Sequence, residues 1–143
     1  MAATVRGAVR ELLEQTIATM ETLLEASDRE LAMPSSHACA QGKDLWTLIT
    51  NDIDHEKIHT GQVLEARYES RIASSPMQRL AAEWLAERAR FVGTLIGLTD
   101  EQFNSETAPG QWTYRVVAKH VLVLEQDSLK TLAADQAARR SAD

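Results

Sequence analysis

The chain has 143 residues, 44% of them hydrophobic and 25% charged, which is enough for one globular domain with its own core and no covalent staple. A formal net charge of −6 argues against a nucleic acid or an anionic membrane as partner, because both select a positive face. One cysteine, Cys39, excludes an intramolecular disulfide. No stretch approaches the ~20 apolar residues of a membrane span. Charges interrupt the opening segment "MAATVRGAVRELLEQTIATM", so no signal peptide is expected and a cytoplasmic location is.

Apolar residues recur at helical spacing and nowhere alternate cleanly with period two, which predicts an all-α chain of four helices. The first spans about Thr4 to Ala26, with Leu12, Leu13, Ile17, Met20, Leu23 and Leu24 as its apolar stripe. The connection "SDRELAMPSSHACAQGK" is long enough to suspect a function of its own. His37 and Cys39 within it either cap a site, contribute chemistry to it, or are plain loop residues. The second helix spans about Asp44 to Ile72. The third spans about Pro76 to Gly97, opened by Ser75 as cap with proline in the first helical position and stopped by the glycine. Its Trp84 and Phe91 are core or interface residues. After "TDEQFNSETAPGQ" the fourth helix spans about Thr113 to Ala134, and residues 135–143 are expected to fray. The expectation is a single domain, an antiparallel four-helix bundle without a sheet.

A weak repeat runs through this order. "LLEASDREL" (23–31) aligns with "LIGLTDEQF" (95–103), and "LWTLITNDIDHEKIH" (45–59) with "QWTYRVVAKHVLVLE" (111–125). Each half then reads as helix, long loop, Trp-Thr pair and second helix. This alignment puts His120 opposite Asp54 and Glu125 opposite His59.

Residues turn by about 100° per position on a helix. On the second helix Leu45, Leu48, Ile49 and Val63 define an apolar arc that also contains Asp52, His55 and His59, with Gln62 at its edge. On the fourth, Val116, Val117, Val123 and Leu124 define an arc that contains His120, with Asp127 near it. Burying unpaired polar groups costs about 1–3 kcal/mol each. Two histidines four apart, facing a third on another helix, would remove that cost by binding a metal. Neutral imidazole suits Zn²⁺, Ni²⁺ and Fe²⁺, and three protein ligands leave a position open for water or substrate. The bland reading is three hydrogen-bonded core histidines.

"HEKIH" is also literally H-E-x-x-H, the zinc-protease pattern in which two histidines bind metal and the glutamate is general base. Glu56 would take that role, and Glu83 or Glu87 could supply a third ligand. Such proteases hold a peptide along a strand, however, and the sequence offers none.

The combination resembles the DinB/YfiT-like family of metalloenzymes. "HEKIHTGQ" matches the family's H-x-x-x-H-R-G-Q stretch at His55, His59, Gly61 and Gln62, with Thr60 in place of the arginine. "QWTYRVVAKHVLVLE" matches its Trp-Ser/Thr helix start and His-hydrophobic…Glu pattern at Trp112, Thr113, His120 and Glu125. The order is reversed here, since the single histidine usually precedes the pair; the repeat could accommodate that. The resemblance implies a four-helix bundle, often dimeric, with His55, His59 and His120 as ligands of one zinc, nickel or iron(II) ion. It further implies transferase or isomerase chemistry on a small-molecule substrate with a low-molecular-weight thiol. A bound metal deprotonates a coordinating thiol, and the thiolate then attacks an electrophile. Asp52, Gln62 and Glu125 would support the ligands from behind, and Glu56 would carry protons. The alternative is a non-catalytic helical bundle, dimeric and stress-related or ligand-binding.

Against the protease reading, the purified protein is expected to leave unfolded casein intact. Chelator-sensitive cleavage that disappears in Glu56→Gln would overturn this.

Overall fold

A computed structural model describes residues 4–141. Among these residues the chain is all-α. Its elements are α1 (Val5–Glu25), α2 (Asp28–Leu31), a 3-10 turn (Ala38–Ala40), α3 (Leu45–Glu69), α4 (Pro76–Leu95), α5 (Asp100–Phe103) and α6 (Tyr114–Arg140). The four long helices lie where the apolar spacing predicts them. The one-turn helices α2 and α5 are additional, and each opens a segment expected as a long connection. The helix expected to stop near Ala134 runs on to Arg140, through residues expected to fray, and closes with the Ser141 N–H donating to Ala137 O at 3.2 Å.

Each long helix begins on a side chain that satisfies one of its orphan N–H groups. Thr4 Oγ1 accepts from Gly7 N (3.0 Å) and Asp44 Oδ1 from Thr47 N (2.9 Å). Ser75 Oγ accepts from Gln78 N (3.2 Å) and Thr113 Oγ1 from Val116 N (3.2 Å). Ser75 and Gln78 complete a reciprocal box, since Gln78 Oε1 accepts the Ser75 N–H at 2.9 Å. Gly97 takes φ +88°, the left-handed conformation a helix stop favours. Arg71, at φ +53°, turns the chain after α3.

The chain divides into two units, Met1–Arg79 and Leu80–Asp143. In the first, Glu30 Oε2 accepts from both the N–H (2.7 Å) and the hydroxyl (2.8 Å) of Ser27 at the start of α2. The backbone then pairs antiparallel, Pro34 with Asp44, through Ser35 N to Lys43 O (2.9 Å) and Leu45 N to Met33 O (3.0 Å). In the second unit Thr99 and Gln102 form the box at the start of α5. Glu106 then pairs with Thr113, through Thr107 N to Trp112 O (3.0 Å) and Tyr114 N to Ser105 O (3.3 Å). In both units this bridge delivers the chain directly onto the N-cap of a long helix.

These bridges correct the register read from the two tryptophans. Asp44 and Thr113 are corresponding caps, so Trp46 lies inside α3 as its second residue while Trp112 precedes its cap. The displacement is about one helical turn. His120 therefore corresponds to Asn51 rather than Asp54, and Glu125 to Glu56 rather than His59. The cause is the loop: residues 35–43 include the 3-10 turn, whereas residues 107–112 have no counterpart to it.

Packing within the first unit concentrates at the start of α3. The 3-10 turn and α2 lie against it, Ala40 is fully buried, and Leu45, Leu48 and Ile49 are half-buried. The stripe of α1 stays open, with Leu12 68% and Ile17 61% exposed. In the second unit α5 lies against α6, and Leu80 and Trp84 of α4 are exposed.

The bond from Thr47 N holds the Asp44 carboxyl below the ordinary aspartate range. A depressed carboxyl stabilises the fold above its unfolded value of about 3.9, and that contribution is lost as pH falls through the lower folded value. Asn caps nearly as well as Asp but carries no charge. Between about pH 6 and about pH 3, wild type should lose more stability to urea than Asp44→Asn, with most of the difference below about pH 4. Parallel urea midpoints across that range would contradict the cap's role.

Candidate metal centre

Once Asp44 and the Pro34–Asp44 bridge start α3, its 25 residues carry Asp52, His55, Glu56, His59 and Gln62 along the helix beyond the packed turns. The His55 and His59 rings lie one turn apart in a tilted arrangement, with centroids 4.5 Å apart and planes inclined by 41°. Their arc was expected to be buried. The histidines and Asp52 are instead exposed, because α2 and the 3-10 turn cover only the first turns of the helix.

Gln62 Oε1 lies 2.9 Å from His59 Nδ1. With the amide oxygen on this side the contact favours the tautomer protonated on Nδ1, which leaves the Nε2 lone pair free. That is the arrangement a metal-ligating imidazole requires. Gln62, read from the sequence as an edge residue behind the ligands, has the contact such a role needs.

The 3-10 turn is held at the upstream end of this face. Asn51 Nδ2 donates to Cys39 O at 2.6 Å, and the Cys39 N–H donates to His37 Nδ1 at 3.2 Å. His37 is thereby the turn's own cap, which favours the plain loop reading for it. The Cys39 thiol is exposed, and a shallow groove of about 300 Å³ runs past Cys39, Asn51, Asp52 and His55. Lys57 pairs with Asp54 at 2.9 Å across exposed surface.

In the second unit His120 is exposed on α6, and its ring meets the Trp112 indole edge-to-face with centroids 5.0 Å apart and planes inclined by 65°. Glu125, expected behind a histidine, pairs with Arg88 of α4. Arg88 also lies over the Trp84 ring, 5.6 Å from its centroid. Arg88 and Glu125 are both half-buried, so this pair ties α4 to α6 with less solvent screening than a surface pair. Asp127 is exposed and bonded to Lys130 at 3.3 Å.

The structure thus brings together His55, His59 and Gln62 in one unit, and His120 with Trp112 in the other. Among the described residues no three His, Cys, Asp or Glu side chains come together as a group that could hold a metal. Asn51, Arg88 and Trp112 were not anticipated in these contacts. Asn51 and His120 share a signal only the capped register reveals: each is the seventh residue of its helix and touches the loop preceding that helix. None of the described helices is long and apolar enough to cross a membrane. In comparisons with known proteins the chain matches no family model, no curated protein and no solved structure.

Replacing Gln62 with leucine removes the acceptor that sets the His59 tautomer. At a pH above about 8, where free imidazole is neutral, ¹⁵N shifts should show His59 as the Nδ1–H tautomer in wild type. In Gln62→Leu the balance should move toward Nε2–H. Identical His59 shifts in the two proteins would remove the support that this contact lends to a metal role.

Proposed function

We propose that the chain is a DinB-like four-helix bundle in which His55, His59 and His120 hold one divalent metal ion, and that it acts on a small molecule together with a low-molecular-weight thiol. The observation that carries this reading is the His55–His59 pair, with ring centroids 4.5 Å apart and Gln62 Oε1 within 2.9 Å of His59 Nδ1. A bound zinc, nickel or iron(II) ion would supply stabilisation of a thiolate at neutral pH. Asp52 is one turn before His55 on the same arc, positioned to support its ring. Glu56 is exposed beside both histidines and free to carry a proton between substrate and water. Glu125, engaged by Arg88, serves in this reading as the α6 side of an ion pair to α4 rather than as support for an imidazole.

Two further observations support the fold part of the proposal. The cap, one-turn helix and backbone bridge recur in the two halves, as duplicated helix–loop–helix units would require. Each long helix also carries an apolar stripe, and exposed leucine and isoleucine stripes gain about 25 cal/mol per Å² when covered. Mutual burial of the four stripes is the arrangement that a bundle supplies. The resemblance further implies a homodimer, which sedimentation would read directly.

The second reading is a non-catalytic, ligand-binding bundle. What favours it is that the described residues place no three ligating side chains together.

Metal titration of wild type and four single variants separates the readings. Removing any one of three imidazoles should abolish stoichiometric binding, so His55→Ala, His59→Ala and His120→Ala should each fail to retain zinc while His37→Ala retains it. Binding should weaken below about pH 6.5, where free imidazole protonates. Metal that binds only the folded chain should raise its melting temperature. His120→Ala binding as tightly as wild type would break the three-histidine site. A wild type that takes up none of zinc, nickel or iron(II) would favour the non-catalytic bundle.

A further inference from the structure

The charges of α1 stand in the wrong order for a helix on its own. Arg6 and Arg10 lie toward its start and Glu21 and Glu25 toward its end, with no acidic residue in the first turn and no basic one in the last. The helix dipole favours the opposite arrangement. Each pair is also two like charges four residues apart, which repel across one turn. All four side chains are exposed, and among the described residues none of them has an ion-pair partner. Both ends of the helix therefore lack a charge of opposite sign.

The apolar arc beside them is wider than one neighbour needs. At about 100° per residue it spans about 140°, against the roughly 100° of a core-facing stripe. On one side Val5, Leu12 and Leu23 form a seam suited to the interior of a bundle. On the other, Leu13, Ile17, Met20 and Leu24 follow at intervals of four, three and four, the repeat of a coiled-coil seam. Leu13, Ile17 and Leu24 are 41%, 61% and 59% exposed. Arg6 continues this second seam at its N-terminal end, and Arg10, Glu21 and Glu25 flank it on one side.

In an antiparallel pair of identical helices, a two-fold axis sets each flank against the same flank of the other copy, reversed in direction. Residues 6 and 25, and residues 10 and 21, share one midpoint, between Gln15 and Thr16. A single register therefore places Arg6 against Glu25 of the second copy and Arg10 against Glu21 of the second copy, and symmetry repeats both pairs. Glu14, the acidic residue nearest the axis on this flank, has Arg10 of its own helix one turn before it. The other long helices offer no such complement. Both signs are mixed along α3 and α4, and α6 is basic at its start (Arg115, Lys119) and at its end (Arg139, Arg140).

We propose that the Leu13–Leu24 seam of α1 is an interaction surface for a second copy of this chain, docked antiparallel along the same seam with Arg6–Glu25 and Arg10–Glu21 pairs across the two-fold axis. This surface follows from the charge order of α1, and neither the metal nor the family resemblance enters it. Burial of the seam drives the association. The charges choose its direction, because exposed pairs add little affinity each while like charges set opposite one another are rejected.

Sedimentation of the full chain over a concentration series reads the dimer, with helix content followed by circular dichroism. Wild type should dimerise. Arg6→Glu with Arg10→Glu makes both ends of α1 acidic, and Glu21→Arg with Glu25→Arg makes both basic. Each double variant should self-associate at least about tenfold more weakly than wild type, because antiparallel pairing then opposes like charges. An equimolar mixture of the two should dimerise. The chain carrying all four substitutions should recover the wild-type affinity, and its unchanged net charge separates pairing from general repulsion. If either double variant loses helix content, the mixture and the four-substitution chain decide. Double variants that dimerise as wild type does, or a helical four-substitution chain that stays monomeric, would overturn the proposal while leaving a dimer through another surface. A wild type that remains monomeric across the series would overturn it outright, and the metal reading would stand or fall on its own titration.

Discussion

In each unit an antiparallel backbone bridge returns a loop to the start of a long helix, and the chemistry-bearing positions follow from it. The bridge uses two main-chain hydrogen bonds to bring the cap residue, Asp44 or Thr113, into register. The cap then satisfies an N–H that would otherwise be unpaired and fixes where the helix begins. Once the first residue is set, every later side chain has a defined azimuth. The same constraint therefore decides that Asn51 faces Cys39, that His120 faces Trp112, and that His55 and His59 share one face. Moving either cap by one residue would turn all of them by about 100°.

Two different demands meet on α3. Its first turns half-bury Leu45, Leu48 and Ile49 near the 3-10 turn, and the same arc continues into Asp52, His55 and His59 in the open. A helix pattern that reads as one apolar stripe is thus divided into a packed segment and a polar one. Isolated helices gain little from propensity alone, and most helical stability comes from covering an amphipathic face. The exposed stripe of α1, with Leu12 and Ile17, is the same demand unmet in its own unit. Burial of that stripe in a closed bundle would satisfy it, and would also raise the cost of leaving the histidines on α3 without a partner.

Helix existence and most helix starts were legible because they depend on neighbours in sequence. Ser75 followed by Pro76, and Gly97 with its left-handed backbone, mark the two ends of α4 and could be read directly. The helices α2 and α5 were equally legible in principle, since Ser27 with Glu30 and Thr99 with Gln102 carry the capping-box spacing. They are missed when a polar segment is taken as loop before its caps are examined. The repeat register failed for another reason. Two Trp-Thr pairs make a persuasive match, yet the side chain that defines the helix start is the cap, and the extra 3-10 turn displaces one pair by about a turn. The tie between Arg88 and Glu125 had no local signal at all, because it joins residues far apart in the chain, one on α4 and one on α6.

The histidines also show why spacing alone underdetermines a site. His55 and His59 share a face by helical geometry, and that much follows from their separation of four. Which nitrogen each presents does not follow from spacing. For His59 it depends on Gln62, one turn further on, whose oxygen can only accept. For His120 no comparable hydrogen bond is present among the described residues, and the neighbour is an aromatic ring that constrains orientation without choosing a tautomer. The two imidazoles therefore differ in their neighbours: His59 lies against an amide oxygen, whereas His120 lies against the edge of an indole.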